Sequence, residues 1–529
     1  MKAKRKCHRT ILRVEALEDR CVASAGALDP TFGSGGTVTT SFGNTYSNAH
    51  ARALAIQPNG QIVAGGDSTN GSFMQGYFDL ARYNANGSLD STFGSKGLVQ
   101  TKFASPVVAH ALALQSDGKI LLAGAYNGTF EIVRYNSNGS LDTMFGNRGK
   151  VSTPFPQGAS AVRSLALETL NGVTYIVAVG DVDVGSGFAF GLARYNLNGS
   201  LDTSFGSGGE VVTSISTEAG EAEEQLGSVA QGDGKIVVVG GALPAGASSR
   251  EFALARYSTD GSLDSTFGSG GIVFTAIGAG PAGAVGHAVA LQPNGELVVG
   301  GEAAVTSYDN FAVARYNADG SLDTSFGSGG IVTTAIGSYN SSINGLAIQP
   351  ADGKIIAVGV GPSSNNQSSA LARYNPDGSL DTTFGSGGIV SPTFGTGDTA
   401  VALQSDGKIV VSTLNSGNFG VARYLPSEPQ IGSFTASPNP VTAGSGLTLT
   451  ASNVTDGNAN STITQVAFYV QNNGSNTLLG YGTQTSTGVW ALASTNTFGL
   501  SAGTYTLFAQ AEDSYGVFGD PVAITLTVN

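Results

Sequence analysis

The sequence predicts an all-β protein, a seven-bladed β-propeller followed by a β-sandwich, and three observations carry that expectation. Leu-Asp followed after two residues by Phe-Gly recurs at Leu28, Leu89, Leu141, Leu201, Leu263, Leu322 and Leu380, at intervals of about 52–62 residues, the period of a sheet-sized repeat unit. Arg-Tyr recurs as often, ending at Tyr83, Tyr135, Tyr195, Tyr257, Tyr316, Tyr374 and Tyr424. After Tyr424 the period stops, and residues 431–529 hold about seven strand-like runs, the number expected of a two-sheet sandwich.

Residues 1–25 form a basic segment with seven Lys or Arg. Val22-Ala23-Ser24-Ala25 has the small residues of a cleavage site, but Arg13, Glu15, Glu18, Asp19 and Arg20 interrupt the apolar run that a signal peptide needs. An export or processing segment and a disordered tail are both compatible with this pattern. Residues 14–22, containing Leu17-Glu18-Asp19-Arg20, resemble the LEDR head of large secreted or surface proteins of planctomycete bacteria. That resemblance implies processing or export.

Residues 26–424 read as the propeller. Short apolar runs split by Asn-Gly or Asp-Gly are hairpins: residues 53–57 and 61–64 flank Pro58-Asn59-Gly60, and residues 111–115 and 119–122 flank Ser116-Asp117-Gly118. A variable Gly- and Ser-rich loop leads to a third strand such as residues 78–83, and Asn84-Ala85-Asn86-Gly87 then turns the chain into a fourth at residues 88–93. One four-stranded sheet has too little core to stand alone and must stack on its neighbours. Residues 28–32 read as a fourth strand lacking the other three, and residues 419–424 as a third lacking its fourth. The N-terminal strand is therefore expected to close a ring, whereas an open solenoid would leave both edges exposed. Glu168-Thr169-Leu170-Asn171-Gly172 marks a lengthened first hairpin in one copy.

These motifs resemble the delta-60 repeats, with the fullest matches at residues 111–119 and 400–411 for the first half of the unit and 254–268 and 371–385 for the second. The resemblance spans about residues 28–424 and implies a propeller-like domain of mostly bacterial extracellular proteins, without enzymatic residues to carry over.

Arginine and aspartate repeat with the strands. A type I turn with a glycine bulge at Asn84-Ala85-Asn86-Gly87 pairs Tyr83 with Leu89 and sets Arg82 opposite Asp90. The same register predicts the pairs Arg134 and Asp142, Arg194 and Asp202, Arg256 and Asp264, Arg315 and Asp323, Arg373 and Asp381, and Arg423 with Asp29. Seven ligand sites are the functional alternative. A guanidinium on an apolar face needs a carboxylate regardless, which favours a structural role.

Strings such as Gly206-Ser207-Gly208-Gly209 lack the Lys-Ser/Thr continuation and helix of a phosphate loop and read as turns between blades. The Asp-Gly-Lys turns at Asp117, Asp233, Asp352 and Asp406 lack the alternating oxygen ligands of a calcium loop. The histidines are His8, His50, His110 and His287, too dispersed for a multi-histidine metal cluster within one copy. His110 and His287 occupy similar places before a first strand, where packing or hydrogen bonding between blades is expected. Glu218, Glu221, Glu223 and Glu224 form an acidic loop. No catalytic, cofactor or metal residues are predicted.

Charge narrows the partners. With 25 Lys+Arg against 38 Asp+Glu, the net charge of -13 argues against nucleic acid and anionic lipid. No apolar run approaches the roughly 18 residues of a membrane span. Cys7 and Cys21 both precede the propeller, so no disulfide staples it.

Residues 425–430, with Pro426 and Pro429, form a linker, and residues 431–529 an Ig-like module. Residues 437–444, 503–506 and 511–513 resemble bacterial Ig-like or PKD-like modules, without the antibody-type cysteine pair. Trp490, Tyr505, Leu507 and Ala509 are its core candidates.

Strands that repeat while loops vary, as at residues 244–249 and 362–367, suit a rigid scaffold presenting a changeable face. The expected function is a non-enzymatic, monomeric extracellular or cell-surface protein that binds polysaccharide or a surface protein. The alternatives are a polysaccharide-active hydrolase or lyase working at the central opening, and a purely structural spacer.

Overall fold

The computed structural model describes residues 25–43, 48–69, 75–215, 226–278, 280, 282–305, 308–361, 368–391, 394–396, 400–456, 462–472, 475–514, 518–519 and 521–529. The acidic loop, the loop at residues 362–367, His8, both cysteines and the LEDR block lie outside them. The chain divides into two compact units, Leu28–Tyr424 and a second comprising Met1–Ala27 with Leu425–Asn529.

The larger unit is all-β and propeller-like: repeated four-stranded antiparallel sheets, seven among the described residues. Sheet one contains Asn48–Ile56, Ile62–Thr69, Gly76–Tyr83 and Leu98–Lys102. The first strands of sheets two to six are Val107–Leu114, Ser160–Leu170, Gly227–Ala230, Ala284–Leu291 and Ser342–Ile348. Sheet seven joins Val401–Leu403, Ile409–Asn415 and Asn418–Tyr424 to Thr37–Thr40 from the other end of the chain, with Val38 opposite Val421. Near-continuous apolar runs such as Ile236-Val237-Val238-Val239 drive this layering, because each sheet has two apolar faces to cover. Ile62, Ala64 and Tyr83 of sheet one pack with Val410, Phe419 and Val421 of sheet seven. Val63, Phe78 and Leu80, on the other face of sheet one, pack with Ile120, Leu122 and Val133 of sheet two.

The fourth strand differs from expectation. Leu89 makes a single bridge to Tyr83, and the strand itself is Leu98–Lys102, beyond the Gly-rich string. The cause is Asp90: its carboxylate accepts from the Thr92 amide at 3.0 Å and hydroxyl at 2.7 Å, and its carbonyl accepts from the Phe93 amide at 3.0 Å. That turn coils the chain and sends Phe93 into the core. The Gly-rich strings thus sit between the third and fourth strands of one sheet, not between sheets, and the strand completing sheet seven is Thr37–Thr40 rather than residues 28–32. Residues 168–172 do lengthen a hairpin, with Leu170 opposite Val173 across a two-residue turn.

The second unit holds two further four-stranded sheets. Gln430–Ser437, Leu447–Thr455, Val489–Ser494 and Thr483–Ser486 form one, and Ser475–Tyr481, Ile463–Asn472, Gly503–Asp513 and Val522–Val528 the other. Eight strands replace the expected seven because the run at residues 478–484 divides at Tyr481, with its two parts in different sheets. Trp490, Leu507 and Ala509 lie in this unit's core, with Tyr505 half-buried against it. No helix among the described residues is long and apolar enough to cross a membrane.

Candidate functional site

Two sets of repeated side chains compete as the functional centre, and burial separates them. Arg82 pairs with Asp90 at 2.7 Å, Arg134 with Asp142 at 2.9 Å, Arg194 with Asp202 at 2.7 Å and Arg256 with Asp264 at 2.8 Å. Arg315 pairs with Asp323 at 2.5 Å, Arg373 with Asp381 at 2.7 Å and Arg423 with Asp29 at 2.8 Å. Each guanidinium carbon also lies 4.4–4.8 Å from the centre of a phenylalanine ring, Phe93 for Arg82 and Phe32 for Arg423. Several of these arginines then reach the next copy: Arg82 donates to the Ser137 carbonyl at 2.5 Å, Arg194 to Thr259 at 2.6 Å, Arg315 to Pro376 at 2.6 Å and Arg423 to Ala85 at 2.5 Å. The Asp-Gly-Lys turns join this network through Lys235 to Asp264 at 3.0 Å, Lys354 to Asp381 at 2.8 Å and Lys408 to Asp29 at 3.3 Å. In the lengthened copy Glu168 adds a contact to Arg194 at 3.2 Å. Guanidiniums buried and engaged on three sides clasp neighbouring sheets and offer a ligand little surface.

The second set arises from the backbone. The first strands of sheets one, two, three, five and six each carry a register shift, and the extra residues are Arg52, His110, Arg163, His287 and Asn344. A bulged residue leaves the ladder and its side chain is re-aimed. The sequence cause is on the facing strand. A Cβ on Gly66 would sit 1.7 Å from the His50 carbonyl oxygen, and one on Gly180 1.8 Å from that of Ala161, so only glycine admits the bulged strand so closely. Gly124, Gly301 and Gly359 stand in the same relation.

These five side chains line one cavity of about 250 Å³ to which the first strands of all seven sheets contribute. Ala53, Ala111, Ser164, Ala288 and Gly345 follow the five bulges, Gly227 and Ala400 hold the equivalent places in the two sheets without one, and their small size lets the strands converge. Arg52 Nε donates to Asp67 at 2.9 Å, and Arg163 Nε donates to Asp181. Asp67 also accepts from the Ala109 amide of sheet two at 3.2 Å, and Arg163 Nη1 lies 2.9 Å from His110 Nε2. Ser228 donates to Ser164 at 2.8 Å across sheets four and three.

Both imidazoles are held neutral. Burial pushes His110 well below the ordinary histidine range, and the Arg163 and Arg52 guanidiniums add to the effect. Burial takes His287 down to about 4 against the opposing effect of hydrogen bonds it donates to Asn344 and the Ile343 backbone. His287 Nδ1 is buried without a hydrogen-bond partner. Burial pushes Asp67 up despite Arg52. His110 and His287 make contacts between sheets, His110 with Arg163 and His287 with Asn344, as expected of that position, and both also line the cavity. Arg52, Arg163 and Asn344 were missed altogether; aligning the copies on Gln57, Gln115, Glu168, Gln292 and Gln349 puts all five bulged residues in one column.

A larger cleft of about 1080 Å³ is lined by aliphatic residues such as Ile277, Val305 and Ile331 and by hydroxyl residues such as Ser325, Ser328 and Thr333. Asp377, its ionisable residue, is engaged by Ser379. Among the described residues no group of three or more His, Cys, Asp or Glu could hold a metal ion.

Six segments, residues 57–93, 115–145, 176–205, 231–267, 292–326 and 351–384, match the family described as "Domain of unknown function (DUF5122) beta-propeller". This is the family that matches, in place of the delta-60 repeats, and its segments lie between the N-terminal block and the C-terminal module. No curated protein matches the chain. Among solved structures, the chain is similar to a fungal alcohol oxidase of the AA5 family in complex with copper, at 16% identity over 93% of this chain and 98% of that one, with a TM-score of 0.43. It is similar to the Dos1 propeller at 10% identity over 73% and 94%, with a TM-score of 0.40. An endo-arabinase from Bacteroides thetaiotaomicron is 11% identical over 59% and 92%, with a TM-score of 0.30. Two of these similar structures are named as enzymes, an alcohol oxidase and an endo-arabinase, and the expectation of a non-enzymatic scaffold is corrected accordingly. No residue or substrate of theirs is carried to this chain.

Proposed function

We propose that the chain is a polysaccharide-active enzyme, a hydrolase or lyase, working at the opening framed by the first strands. On this reading residues 26–424 are a seven-bladed propeller closed by the N-terminal strand, residues 431–529 a sandwich that presents it, and the protein an extracellular or cell-surface monomer. The observation that carries it is the convergence of Arg52, His110, Arg163, His287 and Asn344, from five different sheets, on one cavity. The clasp side chains, arginine, aspartate and phenylalanine, are the same in every copy. The five bulged residues differ from copy to copy, share one backbone position and face a space that a substrate can enter. The guanidiniums can hold a polar substrate, with the neutral imidazoles beside it. The test is product analysis after incubating the full chain with a panel of bacterial and plant polysaccharides, alongside a His110→Ala/His287→Ala variant. New reducing ends or unsaturated products that the variant fails to release support the reading. Absence of product from every polymer, with folded protein, overturns it in favour of a structural spacer.

A further inference from the structure

We propose that the opening takes a carboxylate-bearing saccharide, a uronic-acid residue whose carboxylate seats against Arg52, His110 and Arg163. This deepens the reading above and rests on it only for the location of the site. Three consecutive sheets present Arg, His and Arg at the same bulged position. Arg163 reaches His110 directly at 2.9 Å, while Asp67, bonded both to Arg52 and to the Ala109 amide, draws Arg52 toward the same imidazole.

The carboxylates that balance the arginines stand behind them. The side chains of Asp67 and Asp181 are 7% and 8% exposed, those of Arg52 and Arg163 19% and 22%, so an entering ligand meets the cations first. Their field reaches the site, since both guanidiniums help to keep His110 unprotonated. A planar carboxylate answers that field and matches the guanidinium fork; a hydroxyl does only the latter, and weakly. The opposite arc of the cavity is uncharged, with Ser228, His287 and Asn344 supplying donors and acceptors suited to sugar hydroxyls. An anion on one side and hydroxyls on the other describe an acidic sugar. The cavity is smaller than the roughly 300–1,000 Å³ of a drug-sized ligand site, which favours a single residue at a chain end.

Calorimetric titration of the full chain with galacturonate and glucuronate oligomers, their neutral counterparts and inorganic phosphate tests the proposal. Uronate oligomers are expected to bind saturably, on the order of tenfold or more tighter than neutral ones, the effect of one charge-assisted hydrogen bond. Phosphate should bind far more weakly. Arg163→Lys, which keeps the charge but loses the fork, and Arg52→Gln/Asp67→Asn, which removes an ion pair without stranding a buried charge, should each erase most of that preference. Equal affinity for acidic and neutral oligomers overturns the proposal on the unmodified protein alone, whether or not the variants fold. Phosphate bound as tightly as uronate, or a preference that survives in folded variants, also overturns it. Uronate binding without turnover overturns the enzymatic reading alone, and cleavage confined to neutral polymers overturns this proposal alone.

Discussion

The arginine–aspartate clasps and the bulged residues belong to the same sheets, yet they carry opposite kinds of sequence. At the clasp the repeat keeps the side chains: an arginine, an aspartate and a phenylalanine in every copy, each arginine paired with its aspartate. At the bulge it keeps the backbone and lets the side chain change, from Arg52 to His110 to Arg163 and on to His287 and Asn344. A sheet that stacks on two neighbours has little freedom where it is tied to them. Its freedom lies where a residue has been lifted out of the ladder.

That contrast can be broken most severely from the chain's beginning. Deleting residues 28–40 takes Asp29, Phe32 and the strand Thr37–Thr40 together, strands the Arg423 guanidinium, and should abolish cooperative thermal unfolding of the larger unit. A melting curve like that of the intact chain would show that the N-terminal strand is dispensable. Arg256→Ala removes the clasp while Lys235 and Thr266 still engage Asp264, and should cost about 2 kcal/mol in urea denaturation. In the folded fraction, binding or turnover at the opening should be unchanged, and a selective loss there would make the clasp a ligand site after all.

Gly180→Ala probes the bulge itself. Its methyl group would collide with the Ala161 carbonyl, so a loss of about 2 kcal/mol is expected, accompanied by weaker ligand binding as Arg163 shifts. Stability loss without any effect at the opening would separate the bulge from the site. The smallest effect is one of pH. Asp79, paired across the ladder with Gly66, is pushed by burial up to about 8 against its hydrogen bonds to Ser68 and Gln100, with Asp67 adding to the rise. Its neutral form therefore supports folding fully below an unfolded value of about 4, and that support is lost as pH rises toward 8. At the clasp the sign reverses. Burial pushes Asp90 upward but is outweighed by the Thr92 hydroxyl and amide, Arg82 and Gln61, which hold it at about 2, so its contribution is present above about 4 and fades as pH falls. Asp79→Asn should raise the melting temperature at about pH 8 more than at about pH 5, both above the ordinary aspartate value of about 4, and equal gains at both would refute the assignment.

Much of the clasp was legible because turn chemistry is local. Asn84-Ala85-Asn86-Gly87 fixes the register that bridges Tyr83 to Leu89 and brings the Asp90 amide to the Arg82 carbonyl at 2.9 Å. The fourth strand was misplaced because Asp90 can either continue a strand or accept from Thr92, and only packing of Phe93 decides between them. The opening was invisible for a different reason. A bulge leaves its mark on the facing strand, in the glycine at Gly66 or Gly180, while the residue it exposes looks like any other member of an alternating strand. Reading Arg52 or Arg163 as functional needs both strands at once.

The sheet assembled from Thr37–Thr40 and Asn418–Tyr424 also constrains the timing of folding. Asp29 and Arg423 are 394 residues apart in sequence, so a ribosome must make almost the whole larger unit before that sheet can gain its last member. Contacts of such separation form late and slowly, and the waiting strand is an unpaired edge open to the wrong neighbour in the meantime. Moving the chain ends to a loop such as that around residues 244–249 by circular permutation would place only the C-terminal module and the N-terminal block between the two segments of that sheet. The native contacts would stay, and the delay would shorten.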